Sequence, residues 1–206
     1  MMQPKKIYFY KMTADNGGAP CVHEGMLSLA ICKPEIRRTA QEGDLIFGFG
    51  GKRLGGRLIY AAFVTEKPKV GEYYRRKRFQ GRPDCIYREV DGHPERIAHA
   101  RYHFDSDESS KDVGWCFERA FVLLSNDFRY FGQEGTIAFR TRYRNLARAF
   151  DRLTQGHRVN HHPVIRIELI QLAEELWRDF RLMVIGEPSD ADHTRRCNTG
   201  SRLERC

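Results

Sequence analysis

The chain reads as an α+β protein, and three observations predict this. Short β-branched and aromatic runs at 6–12, 44–47 and 57–64 have the composition of strands. Two later segments carry apolar residues at helical spacing: Tyr143, Leu146, Phe150 and Leu153, then Leu169, Leu172 and Leu176. Neither an internal repeat nor a linker splits the chain between them. Its 206 residues suffice for a full core. The expected organisation is one domain over 1–185 and a polar, basic, disordered tail over 186–206.

In order along the chain, the strand at 6–12 (KIYFYKM) runs into a turn-rich loop at 13–24, where Asn16-Gly17-Gly18 permits positive φ. An apolar piece at 25–32 leads into a short helix. Lys33-Pro34 opens that helix, because proline at the first position loses no hydrogen bond. Ile36 and Ala40 share a face, and Gly43 suits a left-handed cap. The strand at 44–47 follows, then a link holding Gly48, Gly50, Gly51, Gly55 and Gly56, then the strand at 57–64. Residues 70–79 combine Tyr73, Tyr74 and Phe79 with Arg75-Arg76-Lys77-Arg78, a solvated helix face or a base-stacking one. Residues 80–115 form a long excursion, with edge strands expected at 85–90 and 97–104 and an acidic patch at 105–112. The apolar run 117–125 predicts a central strand, and 128–132 an aromatic segment after it. The helix ending near Leu153, with Gly156 as cap, has a basic polar face of Arg142, Arg144, Arg148 and Arg152. A second helix over 164–178 and a short strand over 180–185 complete the series.

Charge narrows the function. With 35 Lys and Arg against 27 Asp and Glu, the formal net charge is +8, which favours polyanions, nucleic acid above all. No window is apolar enough to cross a bilayer, so no membrane partner is expected. The N-terminal MMQPKKIYFYKM lacks the apolar core of a secretory signal. Six cysteines without regular spacing do not describe a disulfide framework. The expected location is the reducing cytoplasm.

The basic residues Lys33, Arg37, Arg38, Lys52, Arg53 and Arg57 crowd the unit from the helix at 33 to the second strand, and the site is expected there. Cys21, His23 and Cys32 are ligand types, yet the paired spacing of a zinc site is missing. Neither metal nor cofactor is predicted. The glycine-rich link lacks the GxxxxGK[ST] pattern of a phosphate loop. Cys32, placed before a helix, has the position of a thiol with lowered pKa, but no base identifies itself. No paired carboxylates and no Ser-His-Asp set stand out, so the balance leans away from an enzyme.

Four blocks carry a resemblance: 15–21 (DNGGAPC), 27–38 (LSLAICKPEIRR), 43–46 (GDLI) and 123–132 (LLSNDFRYFG). The chain resembles the nucleotide modification associated domain family of the second type, found in bacteria and phages beside genes for modified DNA bases. More loosely, the order helix, Gly-Asp, strand, loop, strand is similar to PUA-like domains of the EVE and ASCH kinds. That second likeness implies a PUA-like mixed β-barrel with flanking helices, holding nucleic acid and in some members a modified base.

The leading reading is therefore a binder of DNA or nucleotide carrying a modified base. On it, Lys33, Arg37, Arg38 and Arg57 neutralise phosphates. Phe49, Tyr60, Tyr130 or Phe131 stacks on the base, and Asp15 and Asp127 accept from exocyclic amino groups. The rival is an enzyme of a base-modification pathway using the same pocket, with Asp15, Cys32 or Asp127 as acid, base or nucleophile. A third reading is a scaffold for other base-modification proteins. Convergence of Asp15, Cys32 and Asp127 would favour the enzyme.

Overall fold

The computed structural model describes residues 4–190, apart from 104, 105 and 155. Its strands are β1 (Ile7–Met12), β2 (Cys21–His23), β3 (Met26–Leu29), β4 (Leu45–Gly50), β5 (Leu58–Phe63), β6 (Tyr87–Val90), β7 (His93–Arg96), β8 (Leu123–Ser125), β9 (Asp127–Tyr130) and β10 (His157–Arg158). Its α-helices are α1 (Pro34–Thr39), α2 (Glu72–Arg75), α3 (Ser106–Asp112), α4 (Phe139–Arg142), α5 (Arg144–Arg152) and α6 (Pro163–Asp179). The architecture is mixed α+β, with a five-stranded sheet β10-β1-β4-β5-β9, a three-stranded sheet β2-β3-β8 and the hairpin β6-β7.

The large sheet is covered on both faces, which is why its strands read as unbroken apolar runs. β1 and β4 run parallel, with Ile7 beside Leu45 and Phe9 beside Phe47; β5 pairs antiparallel with β4, and β9 with β5. Alternation along each strand sends Ile7, Phe9, Phe47, Ala61 and Phe63 to one face. There α4, α5 and α6 pack with Phe139, Leu146, Phe150, Leu169, Leu172 and Leu176. Tyr8, Tyr10, Ile46, Tyr60, Ala62 and Tyr130 point to the other face and meet Ile36 and Ala40 of α1 together with Leu27, Leu29 and Leu123. Beyond the small sheet lies a third core, built from Ile31, Tyr73, Tyr74, Phe79, Tyr87, Val113 and Phe117. Tyr73 and Tyr74 are buried within it, so the aromatic residues of 70–79 are packing groups.

Several expectations about elements change. The strands do not close into the barrel that the PUA-like resemblance implies: the large sheet ends at the two-residue β10 on one side. On the other side β9 gains only an isolated bridge, Tyr130 to Val184, where a strand over 180–185 was expected. Of the run 117–125 only Leu123–Ser125 is strand, because Phe117 adopts φ 63° and turn bonds close at Ala120 and Phe121. The strand expected at 97–104 is absent from its described part, since the Arg96 guanidinium folds that segment around itself by bonding the carbonyls of Ala100 and Tyr102. The acidic patch instead begins a helix, α3. Residues 186–190, assigned by composition to the tail, are tied in: Gln133 N–H donates to the Glu187 carbonyl, and Arg53 pairs with Asp190 at 2.8 Å. Residues 191–206, the rest of that tail, lie outside the described residues. Among the described residues, no helix is long and apolar enough to cross a membrane.

The glycine-rich link also has a packing reason. β4 continues through Gly50, with a bulge at Gly48 and Phe49. A Cβ on Gly48 would lie 2.2 Å from the Tyr60 ring and 2.8 Å from Met12 Sδ, so this glycine lets Tyr60 close over the strand. Gly48→Ala should therefore destabilise the protein by about 1–3 kcal/mol through overpacking, read as a lower midpoint in urea unfolding with an unchanged slope.

Candidate active site

Cys32 stands where the chain passes from β3 to α1. Leu29 ends the strand; Cys32 and Lys33 then take left-handed backbone angles, φ 57° and 45°, before Pro34 opens the helix. Two adjacent non-glycine residues in this region cost about 1–3 kcal/mol each and hold only where the surroundings impose them. A sharp strand-to-helix turn of this kind is how some hydrolase sheets present a nucleophile.

The surroundings are specific. The Cys32 N–H donates to Asp112 Oδ1 at 2.8 Å, and Arg37 Nε donates to the Cys32 carbonyl at 2.5 Å. Asp112 Oδ1 also receives Arg37 Nη2 at 2.8 Å, while Tyr87 OH lies 3.4 Å from Oδ2. Arg37 Nη1 completes its bonding on the carbonyls of Asp112 and Phe121, at 3.2 and 2.7 Å. Its side chain is fully buried.

His103 joins the thiol to this carboxylate. Its Nε2 lies 3.2 Å from Cys32 Sγ, and its Nδ1 lies 2.5 Å from Asp112 Oδ2. The second contact is an ion-pair contact set off the line of the ring N–H. His103 too has a left-handed angle, φ 54°. Cys32, His103 and Asp112 are 4%, 1% and 2% exposed, so the three sit in a closed interior. Thiol, imidazole and carboxylate in this order are the residue types from which a nucleophile, its base and a group orienting the base can be built.

A second buried network adjoins the first. Tyr10 OH and Tyr60 OH are 3.0 Å apart, and Lys33 Nζ sits over the Tyr10 ring at 5.0 Å. The Tyr10 pKa is pushed well up, first by burial and then by Tyr60, with smaller contributions from Cys32 and Asp15. Asp15 accepts Tyr130 OH at 2.7 Å and the Ser189 N–H and hydroxyl at 3.0 and 3.2 Å. Burial raises the Asp15 pKa, opposed by those hydrogen bonds. Tyr102, next to His103, closes the loop by donating to the Asn16 carbonyl.

Several residues expected to bind nucleic acid have other duties. Arg37 cannot serve as an outward phosphate ligand, because its donors are spent inside. Arg38 is exposed and pairs with Glu35 at 2.7 Å. Arg57 is half-buried and bonds the carbonyls of Leu54 and Gln133. Lys33 is half-buried over Tyr10. Among the stacking candidates, Phe49 packs against Phe139 and Phe150, Tyr60 faces Tyr10, Tyr130 bonds Asp15, and Phe131 meets Phe180. All four are 2% exposed or less, so none offers a free ring face. Asp127 bonds Trp177 Nε1 at 2.6 Å, at the end of β9 opposite Tyr130. Asp15, Cys32 and Asp127 thus do not converge by hydrogen bonds; Cys32 instead finds His103 and Asp112, which pattern reasoning missed. Asp112 was visible only as part of an acidic patch, and His103 carried no spacing signal. Among the described residues, no group of three or more His, Cys, Asp or Glu is placed to hold a metal ion.

The molecule is thus an α+β protein whose best-formed chemical constellation is a buried cysteine, histidine and aspartate. Over residues 4–195 the chain matches the family model of nucleotide modification associated domain 2, and it belongs to that family. No curated protein and no solved structure matches it.

The two neighbouring arginines of α1 should behave oppositely. Arg37→Met leaves Asp112 buried without its cation and should cost about 3–5 kcal/mol, whereas Arg38→Ala should stay within about 0.5 kcal/mol. Paired urea titrations of the two variants check the contrast.

Proposed function

We propose that the protein is a cysteine-dependent enzyme acting on a nucleotide or a DNA base within a base-modification pathway. One observation carries this reading: Cys32 Sγ, on a left-handed turn before a helix, lies 3.2 Å from His103 Nε2, and His103 Nδ1 lies 2.5 Å from Asp112 Oδ2. The family supplies the substrate setting, nucleotide modification.

In the proposed step, for which the buried site must open to admit the substrate, His103 Nε2 takes the Cys32 proton, and the thiolate forms a C–S bond to an electrophilic carbon of the base or of a group attached to it. The imidazolium then returns the proton to the atom that leaves or takes up negative charge. Water, activated by the same imidazole, cleaves the C–S bond and restores the thiol. Asp112, bonded to Arg37, holds His103 in place and stabilises its charged form. Selective binding of a modified base belongs to this reading as substrate recognition.

The test is the pH profile of Cys32 alkylation by iodoacetamide, followed by peptide mass spectrometry in a Cys116→Ser background. An ordinary thiol titrates near 8.5; paired with His103, Cys32 should alkylate well below that. His103→Gln should move its inflection back toward the ordinary range, measured at a temperature where that variant is still folded. A Cys32 as inert as the buried Cys21 and Cys85, or one titrating normally with His103 present, would remove the proposal.

A further inference from the structure

On the outside of α3 the chain builds a second feature that the buried constellation does not use. Trp115 is 76% exposed, and its position is held. Glu118 folds back so that its carboxylate accepts the N–H groups of Trp115 and Cys116 at 3.1 and 2.8 Å. Those bonds lower the Glu118 pKa, Cys116 first. Gly114, at φ 74°, makes the fold-back possible, since a Cβ there would lie 2.2 Å from Glu118 Oε1. An indole held exposed on so constrained a turn presents an ordered π-face to solvent.

Two cavities meet beside it. One, of about 540 Å³, is lined by His93, Trp115, Glu118 and Arg119 among others, with the His93 ring set edge-on to the indole at 5.2 Å. The other, of about 330 Å³, lies between α1 and the end of α3 and is lined by Arg38, Lys111, Arg119 and Phe121. Arg119 borders both. Among the described residues each cavity holds one carboxylate, and each is engaged: Glu118 on the turn's backbone and Glu35 on Arg38. Lys111 and Arg119 are exposed and make no side-chain ion pair among the described residues. The surface therefore offers an aromatic platform and, across a shared arginine, a cleft edged by the two exposed cations Lys111 and Arg119.

We infer that this face binds a nucleotide unit, the base stacked on Trp115 and the phosphate between Arg119 and Lys111. A π-face suits any base, and guanidinium and ammonium groups supply the phosphate contact. The inference goes beyond the proposed chemistry and does not depend on it. Lys111 immediately precedes Asp112, and Pro34 follows Cys32 by two residues, so a strand held here lies against the outer wall of the candidate active site.

Fluorescence anisotropy with a labelled short oligothymidylate tests it, with thymidine monophosphate as competitor and Cys32→Ser as the host, so that turnover cannot intrude. Trp115→Ala should weaken binding about tenfold or more, with Trp115→Phe retaining most of the affinity. Replacing Lys111 or Arg119 by alanine should flatten the log–log salt dependence by about 0.7 per lost phosphate contact on a single strand. All these side chains are exposed, so the melting temperature should not move. Competition by the monophosphate at equal affinity supports a free nucleotide as occupant, and a preference for the oligomer supports a strand; both uphold the site. Failure of both to bind, or unchanged affinity in Trp115→Ala, overturns it. Neither result bears on the reactivity of Cys32, which reports separately on the proposed enzyme.

Discussion

A guanidinium with no access to water needs its charge balanced on the spot, and Arg37 meets that requirement through Asp112. Burying two ions costs several kcal/mol each before their attraction and hydrogen bonds offset it, so the pair stabilises little by itself. What it does is position. Arg37 reaches Asp112, the Asp112 carbonyl, the Phe121 carbonyl and the Cys32 carbonyl. It thereby ties a six-residue helix to the end of α3 and to the segment leading into β8. The carboxylate so fixed then holds the Cys32 N–H and the His103 ring. The left-handed angles of Cys32 and His103 lie where this network holds both residues.

The constellation also sits where separate packing units meet. The tyrosine-bearing face of the large sheet, with Tyr10, Tyr60 and Tyr130, lies on one side, and the third core around Tyr74, Tyr87 and Phe117 lies on the other. Phenol groups suit such a seam, because each buries a ring while its hydroxyl finds a partner: Tyr60 for Tyr10, Asp15 for Tyr130, Ala30 for Tyr74. Residues 187–190 fasten the loop at 15–17 to this seam through Ser189, Pro188 and Asp190.

The distribution of charge follows the same division of labour. Arg82 serves the interior as Arg37 does, bonding the carbonyls of His23 and Met26 and the Ser28 hydroxyl beside buried Asp84. Arg75, Arg76 and Arg78 each meet a glutamate on the surface. A cluster of basic residues in sequence is thus a poor guide to a cluster of available charge. Availability depends on which carboxylates and carbonyls the fold carries to each side chain.

Periodicity and turn chemistry were enough to determine the α+β class, the strands β1, β4 and β5, and the helices α1, α5 and α6. Each rests on a local cause: alternation or unbroken apolar runs for the strands, Pro34 for the start of α1, and three-four spacing for the later helices. The same sequence drew attention to Cys32 by placing a thiol just before a helix. Tertiary structure alone decided the rest. Whether three sheets close into a barrel depends on long-range pairing that local pattern does not encode, and here the edge strands are too short to close. Whether Arg37 faces solvent depends on Asp112, distant in sequence. His103 and Cys32, 71 residues apart, become neighbours only because the excursion at 80–115 folds back over the β3–α1 turn. A strand or helix announces itself through neighbours a few residues away. A constellation such as Cys32, His103 and Asp112 is made by side chains that chain topology alone brings together.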